Sequence, residues 1–374
     1  MSSVHGHLEI LDQGYGFLRD IGRNFEPHPT DTFVPAPLIQ KMDLYEGIYI
    51  EGNGVKGNQK FENLKLSAIK TINAISPREY GQIASLKERV SINPNQRLVF
   101  TQSHGDTMGR ALDMIVPMGK GQRGLIISPP KAGKTTILKH MARSVLTNHP
   151  ETNVFVLLVD ERPEEVTDFR RELPGAQVLS SSSDQSIAQH LRITKLTMNT
   201  VIRTAEIHQD TVVFIDSLTR LARAFNTETE SYGKTLTGGL GANAMEIPRR
   251  VFGAARNLED GGSLTIMATI LVDTGSRMDD IIFQEFKGTG NLDLRLSREC
   301  AEHRVWPAIN IRESGTRKEH LLMSRKELGE IINIRRAVSP LDEVAAMSAL
   351  LEYIEKGETH ADHEPTTVKR RNPR

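Results

Sequence analysis

Hydrophobic positions fall into two regimes along this chain. Over the first 75 residues the apolar runs are short, and Gly, Asn, Asp or Pro bounds each one. They are His7–Asp12, Gly16–Arg19, Thr32–Val34, Gly47–Glu51 and Lys60–Ile72. Short runs bounded by turn residues predict strands. Five such strands with Gly-rich turns predict a small barrel of the oligonucleotide-binding type. Residues 76–100 are mixed and polar, with Pro77 and Pro94, and read as a linker. From about residue 101 the apolar runs lengthen and alternate with helical periods. Gly124–Ile127, Val154–Val159, Thr211–Ile215 and Leu264–Val272 are nearly unbroken, as strands are when both faces are covered. This alternation predicts an α/β domain with a mostly parallel sheet over 101–360. C-terminal helices follow, with Ser339-Pro340-Leu341-Asp342 as a start signal. The basic tail, 361–374, is expected to be disordered.

Composition narrows the function classes. The 374 residues carry 47 Lys/Arg and 47 Asp/Glu, a formal net charge of zero, so any polyanion site is a local patch. The one cysteine, Cys300, excludes an internal disulfide. Together with His303 it cannot complete a four-ligand zinc site. The longest uncharged apolar stretch, around Ser263–Val272, is too short to cross a bilayer. The N-terminus has neither a basic nor an apolar leader region. These features predict a soluble cytoplasmic protein with no membrane partner.

Candidate chemistry begins at Ser128-Pro129-Pro130-Lys131-Ala132-Gly133-Lys134-Thr135, between an apolar run and a helical one. Strand, loop and helix in that order form a phosphate-binding loop, with backbone N–H groups and a helix N-terminus facing a polyanion. Lys134 can reach the β and γ phosphates of a nucleotide, and the Thr135 hydroxyl can ligate Mg²⁺. Ser128 stands where Gly is usual. Two acids turn binding into hydrolysis. Asp216 ends the apolar run Thr211–Ile215, where it would hold the metal shell. Glu161 follows Val154–Val159 and Asp160, where it can polarise the attacking water. The plainer alternatives are a helix cap for Asp216 and a solvated ion pair with Arg162 for Glu161. Arg304 and Arg317 are candidate fingers for a neighbouring subunit's phosphates, Arg317 on a Gly315 loop.

In the first region Gly14-Tyr15-Gly16-Phe17-Leu18-Arg19 alternates Gly with rings. Tyr15 and Phe17 share one strand face. Exposed, they are a stacking platform that Phe33, Arg19, Lys60 and Phe61 extend; buried, they are barrel core. Residues 1–75 hold seven Lys/Arg and nine Asp/Glu, a net of −2, so stacking outweighs phosphate neutralisation there. In the second region Gly233–Gly241, with Lys234, and Asp273–Arg277 are candidate pore loops.

Together these stretches resemble the bacterial transcription termination factor Rho family. The most specific are Pro129–Thr135, Asp160–Val166 and Asp216–Ala224, with Phe252–Asn257, Glu285–Asn291 and Ser314–Glu319 in agreement. The resemblance implies a homohexameric ring of RecA-like ATPase domains. Such a ring would hydrolyse ATP with Mg²⁺, bind nascent single-stranded RNA, move 5′ to 3′ and release transcripts from the RNA polymerase elongation complex. It implies a barrel RNA site at Gly14, Tyr15, Gly16, Phe17, Leu18 and Arg19, at Asp31, Thr32 and Phe33, and at Asn58, Gln59 and Lys60. Its nucleotide site comprises Gly119, Lys120, Gly121, Gln122, Arg123 and Gly124, then Lys131, Ala132, Gly133, Lys134, Thr135 and Thr136, and Arg162. Glu161 matches the catalytic acid and Arg317 the finger, with Arg304 at the subunit boundary. Lys234, Thr235, Leu236, Thr237, Gly238, Gly239 and Arg277 match the pore loops. The small helical subdomain that usually precedes the barrel is expected to be absent. Arg277 replaces a usual Lys, and Gly241 a common acid. The alternative is a RecA-like ring ATPase of rotary or secretion type that does not act on RNA.

Overall fold

The computed structural model describes residues 2–56, 63–230, 235–236, 240–241 and 244–357. The first region is a closed barrel of five strands. They are β1 (Ser2–Ile10), β2 (Gly16–Arg19), β3 (Thr32–Val34), β4 (Tyr49–Lys56) and β5 (Leu64–Ile72), in spatial order β1-β2-β3-β5-β4. Strands β2 and β3 start and stop where the sequence places them. β1 begins earlier than expected because Ser2–His7 pair with Gly54–Tyr49 of β4. β4 correspondingly starts later and runs further. Helix α1 (Ala36–Lys41) lies between β3 and β4. Val4, Leu8, Leu18, Val34, Ile48, Ile50 and Leu66 fill the barrel interior.

The linker is docked along its length. After α2 (Pro77–Tyr80), the short strands β6 (Ser91–Ile92) and β7 (Arg97–Leu98) pair with later strands. The α/β region then runs through α3 (Thr107–Ile115), β8 (Met118–Gly119), β9 (Arg123–Ser128), α4 (Lys134–Asn148), β10 (Asn153–Glu161) and α5 (Pro163–Glu172). It continues with β11 (Gln177–Ser182), α6 (Ile187–Glu206), β12 (Asp210–Asp216), α7 (Leu218–Glu230), β13 (Thr235–Leu236) and β14 (Leu240–Gly241). Next come α8 (Glu246–Phe252), β15 (Arg256–Leu258), β16 (Ser263–Leu271), α9 (Arg277–Phe286), β17 (Leu292–Arg295) and α10 (Arg298–Glu302). β18 (Gly315–Thr316), α11 (Arg325–Val338) and α12 (Glu343–Gly357) close the described chain.

The main sheet has the order β11-β10-β12-β16-β9-β17-β18. Its first six strands are mutually parallel. One apolar cluster packs on each face, which is why those strands read as unbroken apolar runs. The last helix starts later than the sequence signal suggests. Ser339 closes α11, and Asp342 caps α12 by accepting Ala345 N at 2.7 Å. Pro340 therefore sits in the turn between two helices. No described helix is long and apolar enough to cross a membrane.

Candidate functional site

The loop after β9 turns into α4 through backbone that only a few residue types tolerate. Lys131 has φ 65° and Gly133 φ 84°. A Cβ at 133 would lie 2.6 Å from the Trp306 ring, so the position demands glycine twice over. Ser128 is fully buried, and its hydroxyl donates to Pro129 O at 2.8 Å, which accommodates it where Gly is usual. α4 begins at Lys134 with no side-chain cap on its first N–H groups. Those groups and the helix dipole favour an anion in front of them.

Parallel β10 and β12 deliver the acids to the end of the sheet at which β9 turns into the loop. Asp216 is fully buried at the end of β12; one carboxylate oxygen pairs with Lys134 Nζ and accepts from Thr269 Oγ1 at 2.8 Å. Its other oxygen has no partner. Asp216 is therefore not the helix cap; Ser217 takes that role through Arg220 N at 3.2 Å. On β10 the register shifts between Val159 and Glu161, and Asp160 takes φ 56°. This bulge turns Glu161 inward, where only 1% of it is exposed. The expected alternative for Glu161 was an ion pair with Arg162, but its partner is Arg220 at 3.3 Å. Arg162 is exposed and heads α5. Glu161 Oε2 is buried without a partner. Burial, then the Asp216 charge, pushes its carboxyl above the ordinary range against Arg220 and Lys134. Two orphaned carboxylate oxygens beside Lys134 fit a hydrated divalent cation: hard oxygen ligands, with water still in the shell. Thr135, half-buried in the first turn of α4, completes the donor set.

The six residues Gly119–Gly124 do not join the phosphate loop. They lie at the opposite, amino end of β9, about 17 Å away at ~3.3 Å per residue. Lys120 is held there by Glu151 at 2.8 Å and Asp210 at 2.7 Å. Gly121 N donates to Thr265 Oγ1 at 2.7 Å, and Gly119 N to Gln122 Oε1 at 2.7 Å. Arg123 N donates to Asn291 Oδ1 at 2.9 Å. Arg317 reaches the same end because β18 returns antiparallel beside β17; its N–H donates to Asn291 O at 2.9 Å. Burial, then Arg256 and Arg317, lowers the pKa of Arg123 below the usual guanidinium value. Among the described residues none of these three arginines forms an ion pair within 4.0 Å, and Arg317 is exposed. The two candidate fingers thus separate. Arg304 is exposed in the turn after α10, two residues before Trp306 and so on the phosphate-loop side.

On the barrel, Tyr15, Phe17 and Phe33 are half-buried and outside the core cluster. Their centroids are 5.5–5.9 Å apart, in tilted and edge-on pairs. The core alternative is therefore excluded. Arg19 is not a free cation. It is 6% exposed, bound to Glu9 at 2.5 Å and Asp31 at 2.6 Å, with its guanidinium 4.7 Å from the Phe17 centroid. Leu18 and Thr32 are buried as well. Asn58, Gln59, Lys60 and Phe61 lie outside the described residues.

Of the pore candidates, Arg277 is the exposed first residue of α9, next to the carboxyl end of β16. Thr235 and Leu236 form β13, paired with Gly241 and Leu240. Lys234, Thr237, Gly238 and Gly239 lie outside the described residues. Sequence reasoning missed four participants: Arg220, Thr269, Arg256 and Trp306. Thr269 carries no local signal, whereas Arg220 and Arg256 lie in stretches that carry the family resemblance. The chain's single Trp, 41% exposed, is brought beside the Gly-Lys-Thr loop by folding.

Comparison with known proteins matches residues 4–78 to the Rho termination factor RNA-binding domain. Residues 109–316 match the nucleotide-binding domain of the ATP synthase alpha/beta family. Transcription termination factor Rho of Haemophilus influenzae is 44% identical over 363 residues, 96% of this chain and 86% of that protein. The factor of the same name from Cereibacter sphaeroides is 42% identical over 360 residues, 96% and 85% of the two chains. A prototypical ATPase of a bacterial type III secretion system shares the fold, with TM-score 0.59 and 21% identity over 67% of this chain and 70% of that one.

Proposed function

This chain belongs to the Rho family of transcription termination factors, and on that premise we propose that it is an RNA-dependent ATPase that moves 5′ to 3′ along single-stranded RNA. It works as a homohexameric ring in the cytoplasm and releases the transcript from the RNA polymerase elongation complex. Residues 1–75 form the RNA barrel, 76–100 the linker, 101–360 the motor and 361–374 the tail.

The observation that carries this reading is the pair of unpartnered carboxylate oxygens on Asp216 and Glu161, buried beside Lys134 at a glycine-demanding loop. Lys134 exchanges Asp216 for the β and γ phosphates when ATP arrives. Thr135 and Asp216 would hold Mg²⁺, whose chemistry there would be to neutralise charge on the phosphates. Lys131, Ala132, Gly133 and Thr136 line the loop, Arg162 and Arg304 border it, and the exposed Trp306 indole covers the base. Glu161 accepts the proton of the attacking water. A carboxyl held above its usual range suits that task, because proton acceptors work best near the ambient pH.

Arg123 and Arg317, with Arg256, form a cationic face for the next subunit's γ-phosphate, and Gly119–Gly124 shape that face. The barrel supplies stacking through Tyr15, Phe17 and Phe33. Gly14 and Gly16 leave the rings uncovered, and Leu18, Arg19, Asp31 and Thr32 support them from below. Asn58, Gln59 and Lys60 add contacts to the bound RNA. The segment Lys234–Gly239 and Arg277 contact RNA in the central pore.

The test measures ATP turnover by the assembled protein without nucleic acid, with homopolymer RNAs and with the matching DNAs. Stimulation by single-stranded RNA, together with transcript release from stalled elongation complexes, is the expected result. Equal turnover in all samples would reduce the protein to a ring ATPase with no RNA cargo.

A further inference from the structure

One buried carboxylate joins the RNA platform to the motor. Glu9 lies directly across from Phe17 in the β1–β2 pairing. It is 4% exposed, and two arginines share it. Arg19, stacked on Phe17, donates to Oε2 at 2.5 Å. Arg192, on α6 of the motor, donates to Oε1 at 2.5 Å and to Oε2 at 2.9 Å. Arg192 also donates to Phe25 O at 2.6 Å, so it grips the barrel backbone as well. Burial opposes the charged carboxylate, but the two guanidinium groups outweigh it and hold its pKa below the usual value.

The rest of the interface sits away from the rings. Asn24 and Ser180 exchange two hydrogen bonds at 2.7 and 2.8 Å. Asn199 donates to Glu46 at 2.6 Å, and Asn73 to Arg203 O at 3.2 Å. A Cβ on Gly47 would stand 2.4 Å from Thr200 N, so the barrel touches α6 backbone to backbone. These contacts fix the barrel to α6 and β11. Among the described residues, the hydrogen bonds that run from α6 to the platform's Arg19 pass through Arg192 and Glu9. On the motor side α6 packs on β10, β12 and α7. α7 carries Arg220, the partner of Glu161.

We propose that Glu9 and Arg192 are positioning residues that transmit occupancy of the aromatic platform to helix α6. A base stacked on Phe17 competes with Arg19 for the ring face. Any shift of Arg19 moves one side of the Glu9 carboxylate, and Arg192 is bidentate on that carboxylate. A planar guanidinium fork suits this task and a lysine ammonium does not. The proposal rests on the RNA-binding reading of the barrel, and spatial connection alone does not establish coupling, so the test measures coupling itself.

Amide hydrogen exchange of the assembled protein is followed with and without a C-rich single-stranded RNA oligonucleotide, for the parent, Arg192→Gln, Arg192→Lys and Glu9→Gln. In the parent, RNA slows exchange in β2 and β3 and alters it in α6. Arg192→Gln keeps the barrel response, loses the α6 response, and lowers the RNA-stimulated ATPase rate about fivefold or more while the RNA-free rate stays put. Arg192→Lys recovers part of both. Glu9→Gln behaves like Arg192→Gln. An α6 response that RNA does not evoke in the parent overturns the proposal, as does one that survives in Arg192→Gln. Loss of the barrel response in Arg192→Gln also overturns it, by showing a merely structural tie. A parent whose barrel and α6 respond to RNA but whose ATPase does not overturns the functional reading alone.

Discussion

The two ends of the central sheet are chemical opposites. At the carboxyl end Lys134 faces Asp216 and Glu161, and two carboxylate oxygens still lack partners. At the amino end Arg123, Arg256 and Arg317 gather, and among the described residues none of them has an ion-pair partner within 4.0 Å. One end has acids waiting for a cation and a loop waiting for phosphate. The other has cations waiting for an anion. A single chain holds both halves about 17 Å apart along β9, too far for either to serve the other. The ring proposed above would set one chain's amino end against another's carboxyl end, a head-to-tail contact that gives a ring where its rotation closes.

The strongest test breaks that complementarity at the cationic end. Arg317→Ala should lower ATP turnover by a factor on the order of 10³–10⁵, the range for a finger supplied from a neighbour. Lys134→Ala should abolish it from the other end. Mixing the two inactive proteins should restore part of the rate, because some seams then pair an intact loop with an intact Arg317. Steady-state ATPase assays across mixing ratios check this. If no ratio recovers activity, the two ends do not share a site.

The contrast also shows which parts were readable from the sequence. The phosphate loop was legible because its chemistry is local: Pro129–Thr135 holds glycine, lysine and threonine in one turn. Asp216 was legible because an acid closing an apolar strand has one place to go. Glu161 was named from the sequence, but the bulge at Asp160 that turns it inward was not visible there. From the sequence, Arg19 reads as extending the ring surface, with nothing to show what it pairs with. Its partners Glu9 and Asp31 come from other parts of the barrel and are brought to it by folding. The Arg123–Arg256–Arg317 group had no sequence signal as a group, because strand order rather than spacing brings it together. The last helix was placed three residues early, where Ser339-Pro340 imitates a start and Asp342 performs it.

A second contrast sets the barrel against the motor. The motor's candidate site is built from charges, the barrel's from rings. Phe17→Ala removes a ring that contacts both Tyr15 and Phe33 and covers Arg19. RNA affinity should fall by about 1–3 kcal/mol, roughly 5- to 150-fold in Kd. The RNA-free ATPase rate should be unchanged. Fluorescence anisotropy with a labelled oligonucleotide measures the first and a coupled assay the second. A loss below about twofold would remove Phe17 from the platform.

The smallest expected effect is the most discriminating for how the barrel holds its strand. Arg19, stacked on Phe17, is engaged by Glu9 and Asp31. Few phosphates are then neutralised, and each one contributes about −0.7 to the slope of log K against log salt for single strands. Barrel binding, isolated by using an oligonucleotide too short to reach the pore, should therefore show a slope of only about −1 to −2. Arg19→Gln should leave that slope almost unchanged while weakening affinity through the disturbed Phe17 face. If Arg19→Gln flattens the slope by about 0.7, Arg19 abandons its carboxylates for a phosphate when RNA binds. The barrel would then operate by charge exchange, as proposed for Lys134 at the phosphate loop.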